Sequence, residues 1–433
     1  MPSSPQFVIP YLPYNFTAMD RKLNIAIPLI IFSFITAMLP ELPGLEYDIR
    51  NCWEAWALHI HHNGLRNAYG STTDYMPIYQ YILWGYSKIM GSDAAISSHL
   101  YYVRCVILLF DFWGLWYVYK WMDKKLAYFV VATIGILNIS YVYDTIIWGQ
   151  IDGGLATLIF IAVYYAWKKN NILSGLFILL AFNYKIQTII ILPVWGMLFL
   201  DNALSSKSWK AIVAPLMVMA AAQLALLIPF MMGQYGVGHI VYLIVHSFSK
   251  YEAISIKAPN IWHWLAKGNL LYATDTRPWI GNITYKQAGL AMFFMAALLA
   301  LLPMLLILYK RWRKPGSATF SREMVWISGA LVYLVFYFFN TEIHERYCHP
   351  AFIFLTAYAM YTGRYFVYIL FSITYFLTLE CSMQHLKLSN YEVLIFDMRF
   401  LACLHAITMI YLGRALYKEY IINSGSGNSD III

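Results

Sequence analysis

The sequence predicts an all-α polytopic membrane protein, and three observations carry that prediction. Of its 433 residues, 61% are hydrophobic and only 12% are charged, whereas a soluble domain carries about 25% charged residues. The mean hydropathy is +0.57. Apolar stretches approaching the ~20 residues that a bilayer demands recur along the whole chain, and the basic residues gather in short clusters between them. The net charge of +8 therefore reads as membrane topology and not as a nucleic-acid stripe, so nucleic acid is not expected as a partner. The cysteines Cys52, Cys105, Cys348, Cys381 and Cys403 are scattered and form no C-x-x-C pair, which gives no disulfide framework and no zinc site.

In chain order, a polar and aromatic start is followed by Arg21 and Lys22 and then by an apolar run that lacks a small-residue cleavage site. This predicts an uncleaved first span over 24–43 that starts in the cytoplasm. Further spans are expected near 99–121, 126–143, 152–168, 171–184, 187–201 and 209–232. Five more follow near 286–309, 323–340, 349–363, 365–383 and 398–416, for about 11–13 transmembrane helices in all. Placing Lys120 to Lys125, Lys168 with Lys169, Ser205 to Lys210, Lys310 to Lys314 and Arg364 in the cytoplasm is self-consistent if the short piece 76–90 does not cross. That arrangement puts a first loop (44–75), the Trp148 to Asp152 run, a second long loop (233–285) and His344 to His349 on the outer face. With no internal repeat and no soluble segment, residues 1–433 read as a single transmembrane domain with a flexible tail over 418–433.

The first loop concentrates charge in a chain otherwise poor in it: Glu46, Asp48, Arg50, Glu54, three histidines, Arg66 and Asp74. Ile49, Trp53, Trp56 and Ile60 recur at helical spacing and predict an amphipathic helix lying on the membrane surface. Asp48 stands at its start, where it either caps the helix or, beside a wall of aromatic rings, serves as a general base. Asp74-Tyr75-Met76-Pro77 closes the loop, with proline opening the next helix and Asp74 a candidate cap.

Three later motifs carry polar groups into apolar surroundings. In WGQID, Trp148 is either an interfacial anchor or a pocket residue beside Gln150, and Asp152 either caps the next helix or lines the pocket. Lys185, in FNYK, either snorkels or marks a functional site, because an ammonium between apolar spans is costly. Arg104 and Asp111, seven residues apart on one helix, are expected to form an intramembrane pair. His344-Glu345-Arg346-Tyr347 follows an apolar helix. His344 and His349 are not spaced as H-E-x-x-H, so a phosphate suits Arg346 and His344 better than a metal does.

Together, Asp48 in YDIRNCWEAW, the DYMPIY run, WGQID, the lysine of FNYK and HERY resemble the GT-C superfamily of polytopic glycosyltransferases. The likeness is to the endoplasmic-reticulum glucosyltransferases that extend dolichol-linked oligosaccharides, to the mannosyltransferase of glycosylphosphatidylinositol synthesis and to bacterial relatives, over roughly residues 40–350. The resemblance implies the GT-C fold and inverting transfer of a sugar, mannose or glucose, from a polyprenyl-phosphate monosaccharide to an acceptor hydroxyl on the non-cytoplasmic face.

By position, Asp48 matches that family's first-loop base, and Lys185, Arg346 and His344 match residues expected at the donor phosphate. The APNIWHW run resembles its Asn-Phe-Trp segment, which puts Asn260 and Trp262 near the donor. Asp74, Tyr75, Trp148, Gln150, Asp152, Glu345 and Tyr347 complete the expected pocket for donor and acceptor. HERY stands where the family has HEKQ, and Met76-Pro77 stands where it often has two prolines. The expected partners are the lipid-linked donor, a glycolipid, polysaccharide or protein acceptor, and membrane lipids. No cofactor is expected, metal independence is favoured, and no Gly-rich phosphate loop is present. The expected setting is a bacterial inner membrane with a periplasmic site, or the endoplasmic reticulum with a lumenal one. Two other classes fit the same residues: a lipid-linked sugar transporter, and a ligase or polymerase using lipid-pyrophosphate glycans.

Overall fold

The structure is a computed structural model that describes residues 18–42, 49–123, 125–206, 208–247, 250–314 and 318–425. Its helices follow the apolar pattern closely. After α1 (Ala18–Met38), a π-helical turn (Ile49–Trp53) leads into α2 (Glu54–Asn63). Next come α3 (Pro77–Met90), the short α4 (Asp93–Ser98) and α5 (Val103–Trp121). The following segment is broken into α6 (Tyr128–Ile136), the single turn α7 (Ile139–Tyr141) and a π-helical stretch (Val142–Trp148). Then come α8 (Asp152–Trp167), α9 (Asn171–Tyr184), α10 (Leu192–Ser206), α11 (Lys210–Met231) and α12 (Gly236–His246).

The one-turn α13 (Trp262–Leu265) and the small hairpin of β1 (Pro278–Ile280) and β2 (Ile283–Thr284) precede α14 (Tyr285–Arg313). A capping box opens α14: Thr284 Oγ1 accepts from the Gln287 N–H and the Gln287 side chain accepts from the Thr284 N–H, which satisfies two helix-end donors. The chain finishes with α15 (Arg322–Phe339), α16 (Ala351–Thr362), α17 (Phe366–Met383) and α18 (Met398–Gly425).

The protein is an all-α integral membrane protein that crosses the bilayer many times. Among the described residues, eight helices are long and apolar enough to cross, and a ninth crossing exists if the pair Tyr128–Ile136 and Ile139–Trp148, bent by 57°, acts as one span. This is fewer than the eleven to thirteen expected, and the reason is length. The expected spans near 152–168, 171–184 and 349–363 became helices of 16, 14 and 12 residues, and at 1.5 Å per residue such helices fall short of a ~30 Å hydrocarbon core. α8 and α16 are instead buried nearly all round, as a helix apolar on every face must be.

The chain divides into two compact units, with boundaries inside α1 and α5. One unit comprises 31–113 and 141–252; the other comprises 1–30, 114–140 and 253–433. In the first, α9 and α10 pack on α8, α11 packs on α9, and α3 packs on α2. In the second, α15 is surrounded by α14, α16 and α18. Gly329 of α15 sits where a Cβ would run into the Phe354 ring, so α16 can lie close. A small satellite core of Ile254, Trp262, Leu270, Tyr285 and Ala288 holds the 253–285 loop together.

Two expectations change here. Ile49, Trp53, Trp56 and Ile60 are all buried; the Trp53 ring meets Tyr79 edge-on at 5.3 Å and Trp56 meets Tyr75 at 5.2 Å. The amphipathic stripe is real, but protein covers it in place of lipid. At the other end, α18 runs through the start of the segment expected as a flexible tail, as far as Gly425.

Candidate functional site

Among the described residues, the predicted site residues centre on two polar clusters, one in each unit, with Asp74, Tyr75, Asn260 and Trp262 outside them. The first is built around the WGQID turn. The π-helical stretch ends at Trp148, Gly149 takes a left-handed conformation (φ +77°), and the Gln150 N–H returns to the Asp144 carbonyl at 2.9 Å. Gly149 is required twice over: its φ favours glycine, and a Cβ there would run into Ile49 and the Arg104 side chain. Ile49 is the residue after Asp48, so this contact ties the chain at the base candidate's neighbour to WGQID. Asp48 itself lies outside the described residues.

Asp152 does not cap α8. Ile151 occupies the N-cap position, with no side-chain cap bond, and the Asp152 carboxylate instead receives a hydrogen bond and ion pair from Lys185 Nζ. Asp152 is 2% exposed and the Lys185 side chain 11%, so the lysine does not snorkel. It is held where α9 stops: Lys185 is extended (φ −155°, ψ 133°) before a 3₁₀ segment, Ile186–Ile191. Thr188 bonds back to the Lys185 carbonyl through its hydroxyl at 2.9 Å. Irregular backbone among apolar helices is tolerated where protein surrounds it, and here it delivers a cation to a carboxylate.

The glycines after Asp152 bring further groups close. A Cβ at Gly153 would collide with the Asp111 carboxylate, and one at Gly154 with the Tyr184 hydroxyl. The expected Arg104–Asp111 pair is replaced by other bonds. Arg104 donates to the Ile147 carbonyl at 3.4 Å, and Asp111 accepts from the Thr145 hydroxyl at 2.8 Å. Seven residues along a helix is about 10.5 Å of rise, too far for the two side chains to pair directly. Trp148 and Gln150 are buried beside this turn.

In the same unit, the expected cap role of Asp74 is also replaced. Met76 is the N-cap of α3, with Pro77 at the first helical position, and Asp74 pairs with Lys250. The Tyr75 carbonyl accepts from the Tyr69 hydroxyl at 3.2 Å and from Gln80 at 3.0 Å. Tyr75 stacks edge-on against Tyr79 at 4.9 Å.

The second cluster is a turn between α15 and α16. Ile256 N–H bonds to the Ile343 carbonyl at 2.9 Å, and His344 bridges to Ile256 and Lys257. Glu345, 3% exposed, holds two cation-forming neighbours. Arg346 Nη1 donates to its Oε1 at 2.9 Å, and His344 Nδ1 lies 3.7 Å from its Oε2. Burial alone would raise the Glu345 carboxyl, but the His344 hydrogen bond and the Arg346 charge outweigh it and hold it at about 2. Tyr337 secures the turn by donating to the Glu345 carbonyl at 3.3 Å. The Tyr347 N–H closes onto the His344 carbonyl at 3.1 Å, and its ring lies 5.1 Å from the imidazole.

His349 is engaged with the Tyr375 hydroxyl at 3.3 Å. Among the described residues, no group of three or more His, Cys, Asp or Glu is placed to hold a metal ion.

Asn260 and Trp262 belong to the same unit as this turn. The Trp262 indole is fully buried in the satellite core, donates to the Phe339 carbonyl at 3.0 Å and packs edge-on against Trp279 and Tyr285 at 5.4 and 5.3 Å. Asn260 Oδ1 accepts from the Trp262 N–H at 3.2 Å. Trp262 therefore binds the 253–285 loop to the end of α15, directly before HERY, while Asn260 braces the loop's own backbone.

Residues 94–253 match the model of glycosyltransferase family 87. On a chain of membrane-crossing helices, that match supports a membrane glycosyltransferase of the GT-C type, with a sugar donor and an acceptor as its substrates. The matched stretch contains Arg104, Asp111, the WGQID turn and Lys185, but neither the first loop nor HERY. No curated protein matches the chain.

The pairing of Asp152 with Lys185 was not evident from the sequence, although both residues stand out in it. The usable signal was that a lysine between apolar helices requires a carboxylate, and few acids lie near enough in the chain to supply one. Lys250 carried no signal, because its partner Asp74 is 176 residues away.

Proposed function

We propose that the protein is an inverting glycosyltransferase that moves a hexose, mannose or glucose, from a polyprenyl-phosphate monosaccharide to an acceptor hydroxyl on the non-cytoplasmic membrane face. The acceptor is a glycolipid, a polysaccharide or a protein. A bacterial inner membrane with a periplasmic site is the favoured setting, with the endoplasmic reticulum and its lumen the alternative. The observation that carries the reading is the buried Lys185–Asp152 pair inside the stretch that matches a glycosyltransferase family. Buried ionisable groups among apolar helices are expensive and mark function.

In this mechanism Asp48 removes the proton from the acceptor hydroxyl, a step that contributes about 10²- to 10⁴-fold. The hydroxyl oxygen attacks the anomeric carbon, the bond from that carbon to the phosphate oxygen breaks, and polyprenyl phosphate leaves with the electron pair. Charge growing on that phosphate is stabilised by preorganised cations. Lys185 takes this role with Asp152 holding it, and Arg346 and His344 take it with Glu345 holding them. The planar guanidinium can grip a phosphate through two N–H groups at once.

The test incubates purified protein in lipid nanodiscs with a polyprenyl-phosphate hexose or with a polyprenyl-pyrophosphate oligosaccharide, each with candidate acceptors. Consumption of the first, with release of polyprenyl phosphate and inversion at the anomeric carbon, is the expected result. Consumption of the pyrophosphate glycan alone would make the protein a ligase or polymerase. Movement of either lipid across the bilayer without bond cleavage would make it a transporter.

A further inference from the structure

A cleft of about 830 Å³ opens between the 263–270 segment and the 391–399 segment, both in the unit that carries HERY. Its size lies toward the upper end of ligand pockets, ~300–1,000 Å³. Its charges balance: Lys267 and Arg399 face Glu392 and Asp397. Burial lowers the His263 imidazole below its usual value, although its hydrogen bond to the Ala258 carbonyl and the Asp397 charge oppose the shift.

The walls are fixed before any ligand arrives. Arg399 Nε donates to the His263 carbonyl at 3.0 Å and so ties the two segments together. The Asp397 carboxylate accepts from the Arg399 and Phe400 N–H groups, both at 2.9 Å. The Tyr391 hydroxyl is bonded to Glu380, a fully buried carboxylate, which holds the ring as a wall of the cleft. At the lip, Val393 and Leu394 are 40% and 67% exposed. The near wall is also coupled to HERY: the Ser255 N–H bonds to the Leu270 carbonyl at 3.2 Å, and the next residue, Ile256, bonds to Ile343 at 2.9 Å.

We infer that this cleft binds the glycan part of the acceptor, a neutral oligosaccharide. A phosphate or other anion would need net positive charge, and a cation would need net negative charge. A polyhydroxylated ligand instead uses donors and acceptors together with a fixed aromatic wall. Glu392 accepts from sugar hydroxyls, Lys267 and the Arg399 fork donate to them, and a ring face packs on Tyr391. The choice of occupant rests on the glycosyltransferase reading, while the binding itself can be measured without turnover.

Full-length protein in nanodiscs is titrated with mannotriose and maltotriose, free or linked to a short isoprenoid, with binding read by saturation-transfer NMR and calorimetry. At least one trisaccharide should bind. Glu392→Ala and Arg399→Ala should each weaken it about tenfold or more, as the loss of a charged hydrogen bond does, and excess inorganic phosphate should not compete. A gain in affinity from the isoprenoid that Leu394→Ser removes identifies a lipid-anchored acceptor; equal affinities identify a soluble glycan. Failure of both trisaccharides to bind, binding unchanged in both variants, or displacement by phosphate would each overturn the assignment. A protein that binds the trisaccharide yet consumes no lipid-linked donor would contradict the proposed transfer alone.

Discussion

Asp152 holds Lys185 at a break between helices, whereas Glu345 holds Arg346 within a single turn of loop, and the two pairs answer to different constraints. The first joins residues 33 apart in sequence. It depends on α8 and α9 meeting, on the extended backbone at Lys185 and on glycines that let Asp111 and Tyr184 approach. The second joins neighbours in sequence, in a turn that the Tyr337 hydroxyl and the 256–257 segment brace. A cation in the first cluster is fixed by tertiary packing, and one in the second by local geometry. Damage to packing should therefore be severe in the first and mild in the second.

The largest effect should come from Lys185→Met, which leaves Asp152 buried without its cation. Breaking a buried pair costs about 3–5 kcal/mol, visible as a lowered midpoint in thermal unfolding of the nanodisc-embedded protein. Adding Asp152→Asn to that variant should restore most of the stability while transfer stays lost. A single variant as stable as the parent would show that the pair does not anchor the cluster.

Glu345→Gln should cost less, about 1.5–3 kcal/mol, the range for a hydrogen bond to a charged group. Its signature is acid dependence. The Glu345 carboxyl is lowered in the folded protein to about 2, so its contribution is complete above the ordinary carboxylate range near 4.5 and is lost as pH falls through about 2. Hydrogen exchange across 343–349, taken relative to the intrinsic amide rate at each pH, should thus be steady from pH 8 to 5 and rise below that in the parent. The Gln variant should lack this acid-dependent rise; a rise of the same size in both would refute the assignment.

Gly153→Ala should cost about 1–3 kcal/mol by overpacking, because its Cβ collides with the Asp111 carboxylate. The same change at Gly85 or Gly196, where nothing lies within 4 Å of the new Cβ, should be neutral or slightly stabilising. Asp74→Asn should be smallest of all. Its pair with Lys250 is 31% and 40% exposed, and pairs of that kind contribute about 0–1 kcal/mol.

The same contrast explains what the sequence could and could not reveal. The predicted apolar segments are helical over most of their described length, because an apolar run must hide its backbone polar groups within itself, although the one near 126–143 is broken and bent by 57°. In HERY the sequence marked Arg346 and His344 as a cationic pair but did not show that Glu345 between them holds both. What escaped was everything that depended on distant chain meeting: Asp74 with Lys250, Asp152 with Lys185, and Thr145 in place of Arg104 as the partner of Asp111. Hydropathy also does not separate a full-length crossing from a short apolar helix enclosed by protein, such as the 12-residue α16. The stripe of Ile49, Trp53, Trp56 and Ile60 was correctly seen as apolar, but its pattern does not say whether lipid or protein covers it.

The central claim is a lipid-phosphate-sugar transfer that uses Asp48 as its base, and the most direct test is single-turnover transfer by Asp48→Asn with a polyprenyl-phosphate hexose bound. The account predicts that the variant folds, binds donor with unchanged affinity and loses transfer by about 10²- to 10⁴-fold. A folded Asn variant that transfers the sugar at the parent rate would contradict it.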